Sequence, residues 1–400
     1  MVGVKGTEKV LEGSEAVAMA VKACRPEVIS SYPISPQTHI VEALARMVAQ
    51  GDLESRYVRV ESEFSAASVL AGASAAGARA YTASTSQGLL LMTEVIYASV
   101  GMRLPFVMTG VNRALSAPIS IQPDHQDAMS LRDSGIIQIY VENIQEAYDT
   151  HLAAFKIAED PEILLPVMVC MDGWVLTHSY ERVCLVLQSD VDKFLPPFTP
   201  PHFLDVNNPE SWGPIANDDL YMEFRYSIHQ AMQKGKQGIR RIFADLSKIT
   251  GRDHGSLIEK YRTEEASVLL VAMGSVAGTA KDAVDELRLQ GVKVGLIKIR
   301  CYRPFPYEDI LQAIDTAKII AVLDANVSMG SEGAVGMDLK AKLYGRKNAP
   351  FVFDVVAGLG GRSISIETIR KIVQLSEKHS GSGSYPLEPH WMDVDLEIIP

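Results

Sequence analysis

Short apolar runs that alternate with helix-like segments constrain the fold of this chain more than any other feature. Residues 104–111 (LPFVMTGV) and 163–170 (ILLPVMVC) have the length and apolar content of buried strands. Amphipathic or alanine-rich segments, such as residues 37–49 and 64–77, separate runs of this kind. This alternation predicts a parallel sheet covered by helices on both faces.

The predicted elements form two α/β units. In the first unit we predict helices at residues 12–22 (with a cap near Ser14), 37–49, 64–77, 89–100 and 142–158, and strands at residues 28–32, 57–60, 78–83, 104–111 and 163–170. In the second unit we predict strands at residues 267–275, 292–299, 319–323 and 351–356, and helices at residues 279–290, 307–316, 330–344 (after a glycine-bearing turn) and 366–376.

The predicted fold class is therefore α/β, with two doubly wound domains. We predict a first domain at residues 1–190, a connector with a helical segment at 191–256, a second domain at 257–378 and an extended tail at 379–400. The connector is indicated by prolines and asparagines that interrupt the alternation between residues 187 and 222. Its helical segment is expected at residues 220–247.

Composition narrows the classes of function. The 400 residues, 47% of them hydrophobic, are enough for two domain cores. The net charge is −11, and the densest basic run, residues 234–241, is interpreted as a solvated helix end, so we expect no nucleic acid partner. The sequence has no apolar leader segment and no apolar run long enough to span a bilayer, so we expect a cytoplasmic protein without a membrane span.

The cysteines are Cys24, Cys170, Cys184 and Cys301, which lie far apart in the sequence. Iron–sulfur clusters and structural zinc sites need thiolates at short, paired spacings. We therefore expect reduced, inert thiols, no iron–sulfur cluster and no zinc in this chain. No metal ligands are assigned to it.

Arg113 lies directly after the strand predicted at residues 104–111, within the segment NRALSAP. Taken alone, it would more often be a solvated surface arginine. However, ligands of open α/β sheets lie outside the carboxyl ends of the strands, and a guanidinium can bind a carboxylate through two parallel hydrogen bonds. Arg113 is therefore a candidate ligand for an acidic substrate.

The stretch of residues 104–149 that contains Arg113 resembles the α subunit, or the corresponding N-terminal region, of pyruvate:ferredoxin oxidoreductase and its 2-oxoacid relatives. The resemblance extends over nearly the whole chain. It implies a first domain of the thiamine pyrimidine-binding type and a second domain like the C-terminal domain of transketolase. It also implies that Arg113 is a catalytic residue that holds the carboxylate of a 2-oxoacid.

Glu63 lies between a predicted strand and the alanine-rich helix, in the segment VESEFSAAS. An acid at this point could simply compensate the dipole of the helix. Thiamine enzymes, however, need a carboxylate against N1′ of the cofactor's aminopyrimidine, while the protein supplies orientation and electrostatics. In the family this role belongs to the second glutamate of a similar motif, so the resemblance assigns it to Glu63 rather than to Glu61.

The segment YPISPQT at residues 32–38 follows the first predicted strand. Its two prolines are consistent with a rigid strand exit. The segment resembles a YPITP-type loop of the family in which a hydroxyl residue contacts the substrate carboxylate. The resemblance places Ser35 at that position, with Tyr32 on the substrate side and Pro33 on the cofactor side.

The segment STSQG at residues 84–88 precedes a predicted helix. Hydroxyls and free amides at a helix N-terminus suit an anion or a cofactor, although an ordinary cap explains them equally well. The family has an SQG segment beside its thiamine and substrate site. The resemblance therefore assigns Ser86, Gln87 and Gly88 to cofactor binding.

Two other patterns are weaker. Gly330, Gly333 and Gly336 have the spacing GxxGxxG, which is not that of a dinucleotide-binding loop. Residues 124–127 (DHQD) carry ligand-type side chains but no partner cluster, so a polar loop is the simpler interpretation. A nicotinamide dehydrogenase and a metal centre at these positions are therefore disfavoured.

One motif that the resemblance leads us to expect is missing. Thiamine diphosphate enzymes hold the diphosphate through a magnesium-binding GDG motif and a later asparagine, and residues 171–174 (MDGW) lack the first glycine. The chain would then supply only the pyrimidine side of a shared thiamine diphosphate site. The resemblance implies a β subunit that supplies the magnesium–diphosphate side, and γ and iron–sulfur subunits that carry the clusters.

The implied function is that of the α subunit of a multi-subunit 2-oxoacid oxidoreductase of anaerobic metabolism. The reaction would be oxidative decarboxylation of a 2-oxoacid with coenzyme A, and ferredoxin or a similar acceptor would take the electrons. Pyruvate is the expected substrate, but branched-chain 2-oxoacids and an aryl glyoxylate stay open because Ser35 and residues 120–123 (SIQP) do not fix the pocket size. The rival from another class is a non-catalytic assembly subunit.

Overall fold

The computed structural model describes residues 6–382, 386 and 388–399. Its strands are β1 (Gly6–Glu12), β2 (Val28–Ser31), β3 (Arg56–Arg59), β4 (Ala80–Ser84), β5 (Val107–Asn112), β6 (Ile137–Tyr140), β7 (Val167–Asp172), β8 (Tyr180–Val186), β9 (Ile258–Tyr261), β10 (Val268–Ala272), β11 (Val294–Ile299), β12 (Cys301–Arg303), β13 (Ile319–Asp324), β14 (Phe351–Val356) and β15 (His390–Trp391). Its α-helices are α1 (Gly13–Ala23), α2 (Thr38–Ala49), α3 (Glu63–Ala75), α4 (Ser86–Leu91), α5 (Thr93–Gly101), α6 (Gln126–Met129), α7 (Ile144–Ala158), α8 (Gln188–Phe194), α9 (Tyr221–Thr250), α10 (Val276–Leu289), α11 (Tyr307–Ala313), α12 (Ala334–Leu343) and α13 (Ile366–Ser382).

The first sheet has seven strands in the order β12-β6-β7-β5-β4-β2-β3. All its neighbours pair in parallel except β12, which is antiparallel to β6. Leu44 of α2 and Leu152 of α7 belong to one buried apolar cluster, whereas Leu70 of α3 and Ile96 of α5 belong to another. The α/β prediction of a parallel sheet between two helical layers is confirmed.

The second sheet has six strands in the order β15-β14-β13-β10-β11-β9, with β9 as its antiparallel edge. Its core includes Leu270, Val284, Phe353 and Ile372. The two sheets are interlocked, because β12 follows β11 in the sequence but pairs with β6 of the first sheet. The division into domains at the predicted boundaries stays a prediction.

Buried charges hold the two units together. Glu146 of α7 accepts hydrogen bonds from Arg300 Nε at 2.5 Å and from Lys298 Nζ at 2.8 Å, and both Arg300 and Glu146 are fully buried. Burial alone would raise the pKa of Glu146, but the adjacent cations Arg300 and Lys298 outweigh it and lower the pKa to about 2. Because β11 and its exit loop carry both cations, the contact fixes the second unit against α7.

The start of the chain differs from the prediction. Residues 6–12 form β1, which pairs antiparallel with β8, and α1 begins at Gly13. Ser14 does not cap this helix; its hydroxyl donates to the carbonyl of Thr177 at 2.9 Å. The prediction failed because the pairing partner of β1 lies far along the chain and leaves no local signal.

The connector also differs in part. The prediction took residues 187–222 as irregular, but α8 occupies its beginning, and the long α9 follows from Tyr221 to Thr250. The interpretation of residues 234–241 as a solvated helix end was wrong. These residues lie in the middle of α9, where Lys236 is buried and pairs with Glu308 at 2.9 Å.

The end of the chain is more regular than predicted. Helix α13 continues to Ser382, past the predicted end at residue 376. Within the predicted extended tail, β15 pairs in parallel with Val355 and Val356 of β14, and Met392 is buried. Residues 383–385, 387 and 400 of that tail lie outside the described residues. No helix among the described residues combines the length and apolar character needed to cross a membrane.

Candidate active site

The candidate site lies where the central strands of the first sheet end. Strands β2, β4 and β5 are mutually parallel neighbours, so their carboxyl ends meet at one edge of the sheet. They end at Ser31, Ser84 and Asn112, just before the three loops that were predicted to contain site residues. This edge is where open α/β sheets bind ligands.

Glu63 is the first residue of α3 and is 7% exposed. The preceding residue, Ser62, caps the helix, and its hydroxyl accepts a hydrogen bond from Ser65 N at 3.2 Å. Among the described residues, no protein donor bonds the Glu63 carboxylate. Glu61, in contrast, is exposed and accepts a hydrogen bond from the Ser65 hydroxyl at 2.5 Å. Glu63 and Glu61 therefore differ in burial.

Gly88 lies directly against Glu63. A Cβ added at Gly88 would lie 2.7 Å from Glu63 Cγ and 2.8 Å from its Oε1, so no other residue type fits at this position without a shift. The neighbouring Gln87 accepts a hydrogen bond from Arg113 Nη2 at 3.3 Å. The SQG segment thus lies between the carboxylate of Glu63 and the guanidinium of Arg113.

Arg113 is buried, with 8% of its surface exposed. Its Nη1 donates to the carbonyl oxygen of Ser35 at 2.6 Å, which joins the loop after β5 to the loop after β2. Burial lowers the pKa of Arg113, and the charge of Asp127 opposes the shift. Because the ordinary pKa of a guanidinium lies far above neutrality, Arg113 stays charged at neutral pH in such a setting. Its Nε has no partner among the described residues.

Ser35, Tyr32 and Pro33 are exposed. Arg113 contacts the backbone carbonyl of Ser35, and the hydroxyl of Ser35 bonds none of the described groups. Gln37 Nε2 donates to the carbonyl of Tyr32 at 2.7 Å and so closes the loop upon itself. The structure therefore brings Glu63, residues 86–88, Arg113 and the Ser35 backbone together, while the side chains of Tyr32 and Pro33 face outward at the rim.

Asp127 organises this site, and the sequence analysis missed it. Its Oδ2 accepts hydrogen bonds from the backbone N–H groups of Ser86 at 2.9 Å and Arg113 at 3.0 Å. Its Oδ1 accepts from Asn112 Nδ2 at 2.9 Å and from Ala128 N at 2.7 Å. Burial raises the pKa of Asp127 to about 6, although these hydrogen bonds oppose the shift. The sequence signal that could have indicated Asp127 is the position of residues 124–127 (DHQD) in the segment after β5. The sequence alone favoured a polar loop there.

The segment of residues 84–88 contains buried polar atoms without a hydrogen-bond partner among the described residues. Ser86 has a φ of +50°, a backbone conformation that non-glycine residues seldom adopt outside functional sites. Its Oγ lies 2.6 Å from both Gln87 Oε1 and the carbonyl of Ala114. Within the described residues, Ser84 Oγ, Thr85 Oγ1 and Gln87 Nε2 are buried without a hydrogen-bond partner. Groups of this kind suit a polar ligand.

Asp172, in the near-match to the magnesium motif, makes structural contacts. Asp172 ends β7 and accepts hydrogen bonds from His125 Nε2 at 2.9 Å and from Ser275 N at 2.7 Å. Burial would raise the pKa of Asp172, but His125 and Ser275 outweigh it and lower the pKa. The three residues line a cavity of about 370 Å³ between the two units. The Asp172 carboxylate is thus hydrogen-bonded to the second unit.

The weak glycine pattern also has a structural explanation. Asp354 Oδ2 accepts a hydrogen bond from Gly333 N at 2.9 Å, and Asp324 Oδ2 accepts one from Gly336 N at 2.9 Å. Two buried carboxylates therefore occupy the N-terminus of α12. A dinucleotide phosphate would need that same helix end, which is consistent with the spacing argument against nicotinamide binding.

Family profiles match two parts of this chain. Residues 19–244 match the family profile described as pyruvate flavodoxin/ferredoxin oxidoreductase, thiamine diphosphate-binding. Residues 266–369 match the profile described as pyruvate:ferredoxin oxidoreductase core domain II. The first match covers the strands and loops of the candidate site, and the second covers the second sheet except for its outermost strands.

Curated relatives match the chain over nearly its full length. The pyruvate synthase subunit PorA of Methanosarcina barkeri is 50% identical over 98% of this chain and 97% of its own. The PorA subunit of Methanothermobacter thermautotrophicus is 48% identical over 92% of this chain and 95% of its own. The ketoisovalerate oxidoreductase subunit VorA of Pyrococcus abyssi is 42% identical over 98% of this chain and 99% of its own.

Solved structures share the fold at low sequence identity. A 2-oxoglutarate:ferredoxin oxidoreductase from Magnetococcus marinus superposes with a TM-score of 0.71 and 20% identity over 92% of this chain. This chain spans 65% of the length of that chain. A split-gene transketolase, described as an inactive tetramer, superposes with a TM-score of 0.55 and 12% identity, covering 92% of this chain and 99% of its own.

Proposed function

This chain belongs to the pyruvate flavodoxin/ferredoxin oxidoreductase family, and from that premise we propose that it is the α subunit of a multi-subunit, thiamine diphosphate-dependent 2-oxoacid oxidoreductase. The reaction is the oxidative decarboxylation of a 2-oxoacid with coenzyme A, with transfer of the electrons to ferredoxin or a similar acceptor. The observation that carries the proposal is the buried Glu63 carboxylate packed on Gly88, beside the guanidinium of Arg113.

The residues present fit the pyrimidine end of thiamine diphosphate. That cofactor, when bound, supplies the carbanion chemistry of decarboxylation. Glu63 would hold a proton at N1′ of the aminopyrimidine, because its carboxylate is buried and bonds no protein donor among the described residues. The partnerless Ser84 Oγ, Thr85 Oγ1 and Gln87 Nε2 offer further polar contacts at the same place.

Arg113 is proposed to bind the carboxylate of the substrate. It is held at the site by the Ser35 carbonyl, by Gln87 and by the contact of its backbone with Asp127. Charge-assisted bonds from a guanidinium fix both the position and the plane of a carboxylate. The Ser35 hydroxyl is exposed at the same loop and is proposed to assist, with the Tyr32 ring at the substrate rim.

Pyruvate is the proposed substrate. The relatives named pyruvate synthase are 50% and 48% identical to this chain, whereas the one named ketoisovalerate oxidoreductase is 42% identical. The identity to the ketoisovalerate oxidoreductase subunit is only slightly lower than that to the pyruvate synthase subunits. A branched-chain 2-oxoacid such as ketoisovalerate is therefore the second candidate substrate. Rates with the two substrates in the assembled enzyme distinguish these candidates.

A partner subunit is proposed to complete the site. Large apolar side chains are exposed on the very segments that carry site residues: Tyr32, Phe64, Leu90, Leu91, Ile119 and Ile121. Exposed apolar groups concentrated at one place indicate an interface. We propose that a β subunit covers them and supplies the magnesium–diphosphate side, that γ and iron–sulfur subunits carry the clusters, and that the complex is cytoplasmic.

The test compares the chain alone with the chain co-purified with its partner subunits. We expect oxidation of pyruvate only in the complex, with coenzyme A consumed and ferredoxin reduced. Titration with thiamine diphosphate and magnesium should give weak binding to the single chain and stoichiometric binding to the complex. Tight binding by the single chain, or a complex that stays inactive with every 2-oxoacid, would contradict the proposal and favour an assembly subunit.

A further inference from the structure

A group of two histidines and one glutamate lies on the first domain, apart from the residues assigned above. Glu12 ends β1, His39 is in the first turn of α2, and His178 lies in the turn between β7 and β8. Each offers one ligand atom, and these atoms all lie within 4.8 Å of one another. The expectation of no zinc rested on the cysteine spacing, which does not bear on a site without thiolates. We propose that these three residues bind one divalent transition-metal ion of the zinc type.

The chemistry of the three ligands suits such an ion. Zinc binds imidazole nitrogen and carboxylate oxygen at about 2.0–2.2 Å, and three protein ligands with an open fourth position are a common arrangement. The rings of His39 and His178 lie 4.6 Å apart between centroids, which brings two imidazoles to the same point in space. Calcium and magnesium prefer all-oxygen ligands, so they do not fit this group.

The histidines are also oriented by groups behind them. His178 Nδ1 lies 2.7 Å from Thr177 Oγ1, and that hydroxyl accepts a hydrogen bond from Trp174 N at 2.9 Å. A ring held through Nδ1 presents Nε2, which is the usual way in which a protein orients a metal-binding imidazole. His39 Nδ1 lies 2.7 Å from Glu12 Oε1, so a small side-chain shift converts that hydrogen-bonded contact into joint coordination.

The location links this group to both substrate loops. His39 follows Ser35 by one helical turn in the sequence. The ring of Trp174 lies 4.3 Å from that of His178, and its Nε1 donates to the carbonyl of Ile121, in the loop that follows Arg113, at 2.7 Å. An ion bound here would tie β1, α2 and the turn after β7 together beneath those loops.

The test is calorimetric titration of the untagged, chelator-treated full chain with zinc chloride. We expect one saturable site per chain, and no comparable binding of calcium chloride. His39→Ala, His178→Ala and Glu12→Gln should each weaken zinc binding at least about tenfold. Loss of a residue that only hydrogen-bonds a metal ligand already lowers metal affinity by about that factor. His229→Ala removes an exposed histidine of α9 and should leave the affinity unchanged.

Folding of each variant is checked by circular dichroism without metal. His39 is the safest replacement because 48% of its side chain is exposed. Binding of zinc should also change the tryptophan fluorescence of the wild-type chain, because the Trp174 ring lies against His178. The Trp174→Phe variant should still bind zinc but should no longer show that fluorescence change. Absence of a saturable site in the wild type, or equal zinc affinity of the His39→Ala and His229→Ala variants, would overturn the proposal.

Discussion

Asp127 Oδ2 accepts the backbone N–H of Arg113 at 3.0 Å, and the same oxygen accepts the backbone N–H of Ser86 at 2.9 Å. One buried carboxylate oxygen therefore sets the relative positions of the two loops that we propose to bind substrate and cofactor. Neither contact involves the side chains that we expect to touch substrate or cofactor. Asp127 is thus a positioning residue, and it gives the first prediction.

Asp127→Asn should impair the assembled enzyme without unfolding it. An amide has one oxygen, so it can keep either the two backbone donors at Oδ2 or the two donors at Oδ1, and its N–H groups then face the other pair. A buried donor without a partner costs about 1–3 kcal/mol. We expect kcat/KM for the 2-oxoacid to fall roughly tenfold to a hundredfold. Asp133→Asn changes an exposed aspartate in the next turn and should leave the kinetics unchanged. If the two variants had equal kinetics, Asp127 would not be a positioning residue of the site.

Glu63→Gln should reduce turnover by about 10²–10⁴-fold, the usual cost of losing a proton-transfer group. The amide has the same shape as the carboxylate, so it fits against Gly88 but cannot take up the proton. Glu61→Gln is the matched control, because Glu61 is an exposed glutamate two residues away. Steady-state rates of the assembled complex check this prediction, and near-normal turnover of Glu63→Gln would support the assembly-subunit alternative.

Arg113→Ala should lower kcat/KM for the 2-oxoacid while cofactor affinity stays nearly constant. Hydrogen bonds to charged groups contribute about 1.5–3 kcal/mol, which corresponds to roughly tenfold to a hundredfold or more. Arg113→Lys should recover only part, because an ammonium lacks the planar pair of donors. If Arg113→Ala instead abolished cofactor binding and left the residual rate independent of substrate concentration, the carboxylate assignment would be wrong.

Gly361→Ala tests whether the second unit supports the loop that follows Arg113. Gly361 has a φ of +76°, and an added Cβ would lie 2.5 Å from the Cβ of Gln122, in the loop that follows Arg113. Gly345 has a φ of +77° with nothing within 4 Å, so Gly345→Ala introduces a similar backbone strain of about 1–2 kcal/mol without the clash. Both variants should lose stability, but only Gly361→Ala should lower kcat/KM. A kinetic loss shared by both variants would contradict this.

Glu146 should make stability depend on pH in the acid range. Its folded pKa of about 2 lies below the ordinary value, so its contribution is complete above pH about 4.5 and disappears as pH falls toward 2. Removing one partner of a buried ion pair costs about 3–5 kcal/mol, so Glu146→Gln should lower the free energy of unfolding by that amount at pH 7. The difference from wild type should shrink as the pH approaches 2.

Denaturant unfolding at a series of pH values measures this effect. Glu367→Gln is the control, because Glu367 pairs with Arg370 at the surface and its side chain is 56% exposed. Surface pairs contribute at most about 1 kcal/mol. A Glu146→Gln chain as stable as the control at neutral pH would show that the two units are held together by packing alone.

The sequence by itself determined the elements and the edge of the sheet that carries the site. Apolar runs alternating with amphipathic segments are local patterns, so β4, β5, β7 and the helices around them were predicted to within a few residues. The position of Glu63 between a strand and a helix, and that of Arg113 immediately after a strand, followed from the same patterns. The resemblance to the family then suggested their roles.

Only the tertiary structure decided which groups meet. Asp127 and Ser86 are 41 residues apart, Asp172 and Ser275 are 103 apart, and β1 finds its partner in β8. In the sequence, strand β12 lies between two strands of the second sheet, but it pairs with β6 of the first sheet. The hydrophobic pattern of a segment indicates only its own secondary structure and which of its faces is buried. The contacts named here join segments that are far apart in the sequence, and the packing of the two sheets decides which of them meet. For this reason the sequence indicated the candidate residues, and the fold determined their arrangement.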